Sequence, residues 1–118
     1  MDTALKEPVL SLDEILDRAG EIARTIVAKE RVEADQNARW VSESMEALKS
    51  ERLTGLTVPK ENGGMGQGLY ALARVCETLG TGYASVGLCY GMHCVGTAVI
   101  AAKATSWHKQ NYLEKIAE

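Results

Sequence analysis

The sequence predicts an all-α fold, a bundle of about five helices packed around one buried, glycine-containing helix. Three observations carry that prediction. Apolar residues recur at three- and four-residue spacing along most of the chain, and no run alternates apolar with polar residues long enough to make a strand. The 25 residues from Thr78 to Ala102 carry no formal charge, the pattern of a segment enclosed on all sides. Residues 1–61 hold 9 Lys/Arg and 13 Asp/Glu, whereas residues 62–118 hold only 4 and 3, so the first half reads as a solvated outer layer and the second half as the centre.

Each element has its own signals. Ser11-Leu12-Asp13-Glu14 reads as a capping box, in which the Ser hydroxyl takes the Glu14 N–H and the Glu carboxylate reaches back to the Ser11 N–H. The helix it opens lines up Leu12, Ile15, Leu16, Ala19, Ile22, Ala23, Ile26 and Val27 on one stripe. A second helix, roughly residues 37–52, places Val41, Met45 and Leu48 inward, with Asp35 as its expected cap. Residues 53–68 break the pattern with five glycines and Pro59, giving a long loop of the kind that tends to be functional. Helical spacing resumes at Leu69, Leu72, Ala73, Cys76 and Leu79, and Gly80 and Gly82 supply a stop. A fourth helix, about residues 83–102, is apolar nearly all round. A fifth begins near Thr105 or Ser106 and aligns Tyr112, Leu113 and Ile116.

Composition bounds the function classes. A chain of 118 residues holds one core, and 46% hydrophobic with 25% charged residues is the balance of a folded globular domain. A net charge of −3 offers no electrostatic footprint for nucleic acid or an anionic membrane. Asp2, Lys6, Glu7 and Pro8 leave no secretory leader in the first ten residues. Three cysteines, Cys76, Cys89 and Cys94, have no disulfide-framework spacing and suit a reducing compartment, so a cytoplasmic protein is expected.

The motifs that carry chemistry are sparse. The glycines at 63, 64, 66 and 68 precede a helix, but no Lys-Ser/Thr follows and the order is not G-x-G-x-x-G, so a structural turn is expected rather than a phosphate loop. Cys89 and His93 share a helix face next to Cys94, yet no second ligand pair completes a metal site. No acid–base or nucleophilic constellation occurs, so no catalytic residue is assigned. The uncharged helix is long enough to cross a bilayer and contains G-x-x-x-G, but its polar residues and the amphipathic helices that need covering favour a place inside the bundle.

Gly87, Gly91 and Gly96 within that helix cost about 1 kcal/mol each relative to Ala, a large part of a small domain's net stability. Either neighbouring helices approach closely there, or the gaps admit a ligand. Leu88, Met92 and Gly96 recur every four residues, and a leucine, a flexible thioether and a vacancy on one strip suit a slender apolar guest.

Several segments, in order, resemble the N-terminal helical domain of the acyl-CoA dehydrogenase family. They are Leu53-Thr54-Gly55-Leu56-Thr57-Val58-Pro59 with Asn62-Gly63-Gly64-Met65-Gly66, then Glu77-Thr78-Leu79-Gly80 with Tyr83-Ala84-Ser85-Val86-Gly87-Leu88, then Tyr90-Gly91-Met92-His93, and Trp107 to Ala117. Together they cover about residues 11–118. The resemblance implies one part of a flavoprotein whose β-barrel-like middle domain and C-terminal helical domain lie outside this sequence. It implies FAD held mainly by those other parts, acyl-CoA as substrate, an electron-transfer flavoprotein or similar acceptor, and a homo-oligomer. The catalytic glutamate falls outside the matching stretch, so none is carried over. The acyl-pocket wall carries over to Leu88, Met92 and Gly96. The family's relatives include flavin monooxygenases and nitroalkane oxidases on the same scaffold, some of which place a histidine on this helix near the flavin, a place that His93 would match. A stand-alone helical interaction module is the alternative from another class.

Overall fold

The Ser11 side chain opens the first helix by accepting the Glu14 amide N–H at 3.1 Å. Only half of the expected capping box forms, because the Glu14 carboxylate accepts the Ser11 hydroxyl, at 3.1 Å, instead of its backbone N–H. The computed structural model describes residues 9–118; most of the stretch that argues against a secretory leader lies outside them. Helix α1 covers residues 12–37 and is interrupted by a π turn, Ala23–Val27, between α-helical Leu12–Ile22 and Ala28–Asn37. It buries Ile15, Ala19, Ile22, Ala23 and Val27, all members of the predicted stripe.

Asp35 lies inside α1 and does not cap the second helix, because α1 runs on until Ala38 turns left-handed at φ 50°. Helix α2, Ser42–Ser50, therefore starts later than its spacing suggests, behind Val41, which has no side-chain oxygen to offer. The cap arrives from α1. Glu30 accepts the Glu43 N–H at 3.0 Å and the Ser44 N–H at 2.8 Å, and also the Ser44 hydroxyl. These bonds satisfy donors that a helix start leaves orphaned. Burial raises the pKa of Glu30, but the bonds from Ser44 and Glu43 and the nearby Arg39 guanidinium outweigh it, holding the carboxyl below its ordinary value.

The connection from 53 to 68 contains two short 3-10 turns, Leu53–Gly55 and Lys60–Asn62. Gly63 and Gly66 stand at φ 88° and 62°, a region that side chains rarely occupy, so these two glycines are structural turns. The loop amides are used internally. Met65, Gly66 and Gln67 donate to the carbonyls of Gly55, Val58 and Leu56 at 2.9–3.0 Å, which leaves no ring of free N–H groups to cradle a phosphate.

Helix α3 is Leu69–Gly82 and helix α4 is Ala84–Lys103, joined through the single extended residue Tyr83. The break falls at Tyr83. Gly82 has a packing task instead, since a β-carbon there would lie 2.6 Å from the Ala23 carbonyl oxygen in the α1 π turn. Helix α5 covers residues 106–117, with a π turn at Lys109–Leu113. Among the described residues there is no strand, and the all-α, five-helix reading holds.

One expectation fails. Helix α4 is not enclosed on all sides. It buries Val86, Gly87, Tyr90, Cys94 and Thr97 against α3 and the 53–57 loop, while Leu88, Met92, Val95 and Val99 stand open to solvent. An uncharged helix announces that every face avoids charge, but it does not announce which faces this chain itself covers.

Candidate functional site: an apolar stripe on α4

The inner side of α4 is stitched to the 53–57 loop by three hydrogen bonds over one turn. Tyr90 donates its hydroxyl to the Leu53 carbonyl at 2.6 Å, His93 Nε2 meets the Thr54 carbonyl at 2.8 Å, and Thr57 donates to the Cys94 carbonyl at 3.0 Å. A carbonyl only accepts, so His93 Nε2 carries the proton and donates it. The glycines fix how close α3 comes. A β-carbon on Gly87 would sit 3.0 Å from the Cys76 carbonyl oxygen, and one on Gly91 would sit 3.2 Å from the Cys76 sulfur. Two of the three helical glycines are thus explained by close approach. Gly96 faces open space.

These attachments orient the outer side. Leu88, Met92, Val95 and Val99 are spaced by four, three and four residues, so they form a single stripe along the axis, about 16 Å long at 1.5 Å per residue. Their exposures are 66%, 63%, 46% and 62%. Four large apolar side chains left this open on one helix face are unusual for a surface that stays in water. At the C-terminal end the stripe runs into a groove of about 610 Å³, where Val95 and Val99 face Leu69 and Leu72 of α3 above Thr57 and Gln67. A second cleft of about 560 Å³ lies elsewhere, beside the Arg18–Glu51 ion pair and the 60–65 turn.

Leu88 and Met92 therefore lie together on the exposed stripe, and Gly96 lies beside it with space where a side chain would be. Sequence reasoning missed Val95 and Val99, which extend the stripe, and Leu69 and Leu72, which form the groove's other wall. The helical periodicity from Leu88 contains the first two; a four-residue repeat alone passes over Val95. His93 is half-buried and faces the loop through Nε2.

The cysteines have no part in this surface chemistry. Cys94 is buried, and that burial, with Cys76 nearby, pushes its thiol up to about 12 despite its hydrogen bond with Tyr90; burial likewise raises Cys76 and the Tyr90 phenol. At neutral pH these groups are protonated and unreactive. Among the described residues no group of three His, Cys, Asp or Glu gathers to hold a metal ion, and Cys89, His93 and Cys94 do not form one.

The stripe also decides what this surface can touch. From Thr78 to Ala102 there is no charged residue, so the stripe itself carries no cation for a pyrophosphate. They fit hydrocarbon. Helix α4 is long and apolar enough to cross a membrane by length and composition, yet its Tyr90, His93 and Cys94 turn is bonded into the bundle.

The family model described as acyl-CoA dehydrogenase, N-terminal domain, matches residues 11–118. No curated protein and no solved structure matches the chain.

Proposed function

Because the chain belongs to the acyl-CoA dehydrogenase family through that family's N-terminal domain, we propose that it forms the wall of the acyl pocket in a flavoenzyme oxidising an acyl-CoA thioester to its 2,3-enoyl form. Leu88 and Met92 contact the hydrocarbon tail, Gly96 leaves room for it, and Val95 and Val99 extend the wall towards the α3 groove. The middle and C-terminal domains, the proton-abstracting base and most flavin contacts are assigned to the rest of the protein. FAD, when bound there, supplies the hydride acceptor, and an electron-transfer flavoprotein or similar carrier reoxidises it.

The supporting observation is the open stripe of Leu88, Met92, Val95 and Val99 on a helix whose opposite side is fixed by three hydrogen bonds. In this reading the chain's own residues have two tasks. They bury methylenes, worth about 0.8 kcal/mol each, and they exclude water from the tail. Neither task requires a charged group, and the stripe has none.

The test uses the complete enzyme. Met92 narrows the channel, so Met92→Ala is expected to shift kcat/KM by about tenfold or more towards longer acyl chains, the scale at which apolar pockets discriminate chain length. An unchanged chain-length profile, with flavin content retained, overturns the assignment of Met92 to the pocket.

A further inference from the structure

Helix α5 opens with a capping box in which a histidine takes the place usually held by Glu or Gln. Thr105 Oγ1 accepts the His108 N–H at 3.4 Å, and His108 Nδ1 accepts the Thr105 backbone N–H at 3.2 Å. Thr105 Oγ1 and His108 Nδ1 are also 2.8 Å apart. Only one tautomer satisfies this ring of bonds. Nδ1 must be bare, taking both the amide N–H and the hydroxyl proton of Thr105, with the ring proton on Nε2.

We propose that this cap is a proton-sensitive catch: protonation of His108 at Nδ1 releases the Thr105 amide and loosens the first turn of α5. Imidazole is the side chain whose charge changes between about pH 5 and 8. A proton on Nδ1 converts the acceptor into a donor, so the Thr105 N–H loses its partner. The Thr105 oxygen then receives two N–H groups and turns its own hydroxyl proton to solvent. The new positive charge also stands at a helix N-terminus, where the backbone dipole opposes it.

The groups facing the ring do not undo this. Trp107 meets it edge-on at 5.5 Å and Tyr112 stacks on it at 6.0 Å, both from α5 itself. Their attraction for a cation keeps the ring on α5 but returns no acceptor to Thr105. Lys109 follows in the chain and Lys103 ends α4, both of like charge to the protonated ring. Among the described residues no carboxylate is ion-paired with it.

The turn affected is poorly placed to absorb the loss. It is followed at once by the π turn Lys109–Leu113. Beyond that, Leu113 and Ala117 form a small separate core with Val58, to which Ile100 and Ile116 add partial cover. Thr54 donates to the Ile116 carbonyl at 3.4 Å, so the far end of α5 rests on the loop that also receives Tyr90 and His93. The proposal does not depend on the acyl-pocket reading.

Hydrogen–deuterium exchange of the protein between pH 8 and 5.5, corrected for intrinsic exchange rates, tests it. Exchange across residues 105–110 is expected to rise about fivefold at the acid end, the scale of losing one helix cap, while α3 is unchanged. His108→Gln keeps an acceptor for Thr105 that does not titrate, and is expected to abolish the rise. Thr105→Ala is expected to leave the turn unprotected at every pH. A wild-type profile without the rise, or a rise that persists in His108→Gln, overturns the proposal. The Thr105 amide resonance gives a second measurement: it should titrate with the same midpoint as the His108 ring protons, and separate midpoints overturn it.

Discussion

The Tyr90 hydroxyl, at the centre of α4, donates to the Leu53 carbonyl at 2.6 Å with both groups buried. This contact joins the most apolar helix to the loop, and it fixes the rotation that puts Leu88 and Met92 outside.

Replacing Tyr90 by Phe keeps the ring but leaves the buried Leu53 carbonyl with the Leu56 N–H, at 3.1 Å, as its remaining donor. The expected loss of stability is about 0.5–1.5 kcal/mol, the net worth of one hydrogen bond. Urea unfolding of the two proteins checks it; equal midpoints would show that the contact contributes nothing.

Glu30 gives a signed pH dependence. Its carboxyl is held below the ordinary value, so the stability it contributes is fully present above about pH 4.5 and is lost as pH falls through the lower folded value. Thermal unfolding should therefore weaken steeply on the acid side of 4.5. Glu30→Gln, which has fewer acceptor sites for three donors, should cost about 1–3 kcal/mol at neutral pH and flatten that acid limb.

The glycines separate into opposite predictions. Gly82→Ala drives a β-carbon to 2.6 Å from the Ala23 carbonyl oxygen, which belongs to backbone and cannot swing aside, so the fold should lose about 1–3 kcal/mol. Gly96→Ala meets open space inside a helix and should gain up to about 1 kcal/mol. Calorimetry on both variants decides; a neutral Gly82→Ala would mean that α1 and α3 can part without cost.

The open stripe predicts concentration-dependent association of the chain when it is studied on its own, because Leu88, Met92, Val95 and Val99 together present a continuous apolar face. Sedimentation velocity across a hundredfold concentration range measures it. The double variant Leu88→Lys with Val99→Lys should sediment as a monomer throughout.

Periodicity located all five helices, and Ser11 and Thr105 marked two of their starts because capping is a property of single residues, whereas the ends at left-handed Ala38 and extended Tyr83 carry no such signal. Glu30 was illegible because its partners, Glu43 and Ser44, are 13 and 14 residues away, and no local pattern shows a carboxylate capping someone else's helix. The openness of α4 was hidden for a related reason. An apolar side chain reads the same on an open face as in a core, so Leu88 and Tyr90 look alike in sequence although one is 66% exposed and the other fully buried. Leu88 and Met92 were legible as a strip, whereas Val95 and the α3 wall required knowing how α3 and α4 cross.

The widened turn at Ala23–Val27 makes α1 sensitive to length in an asymmetric way. Such a turn accommodates one residue more than a regular helix would, so excising a single residue there leaves an unbroken spiral that is locally content. The segment ahead of it would keep its face, because Ile15 and Ala34, both buried on either side of the widened turn, would then stand 18 residues apart, five full turns of a regular helix. A one-codon deletion at this spot is therefore milder than one in the regular turns on either side, which would swing every residue ahead of it by about 100° and carry Ile15 and Ala19 out of the interior.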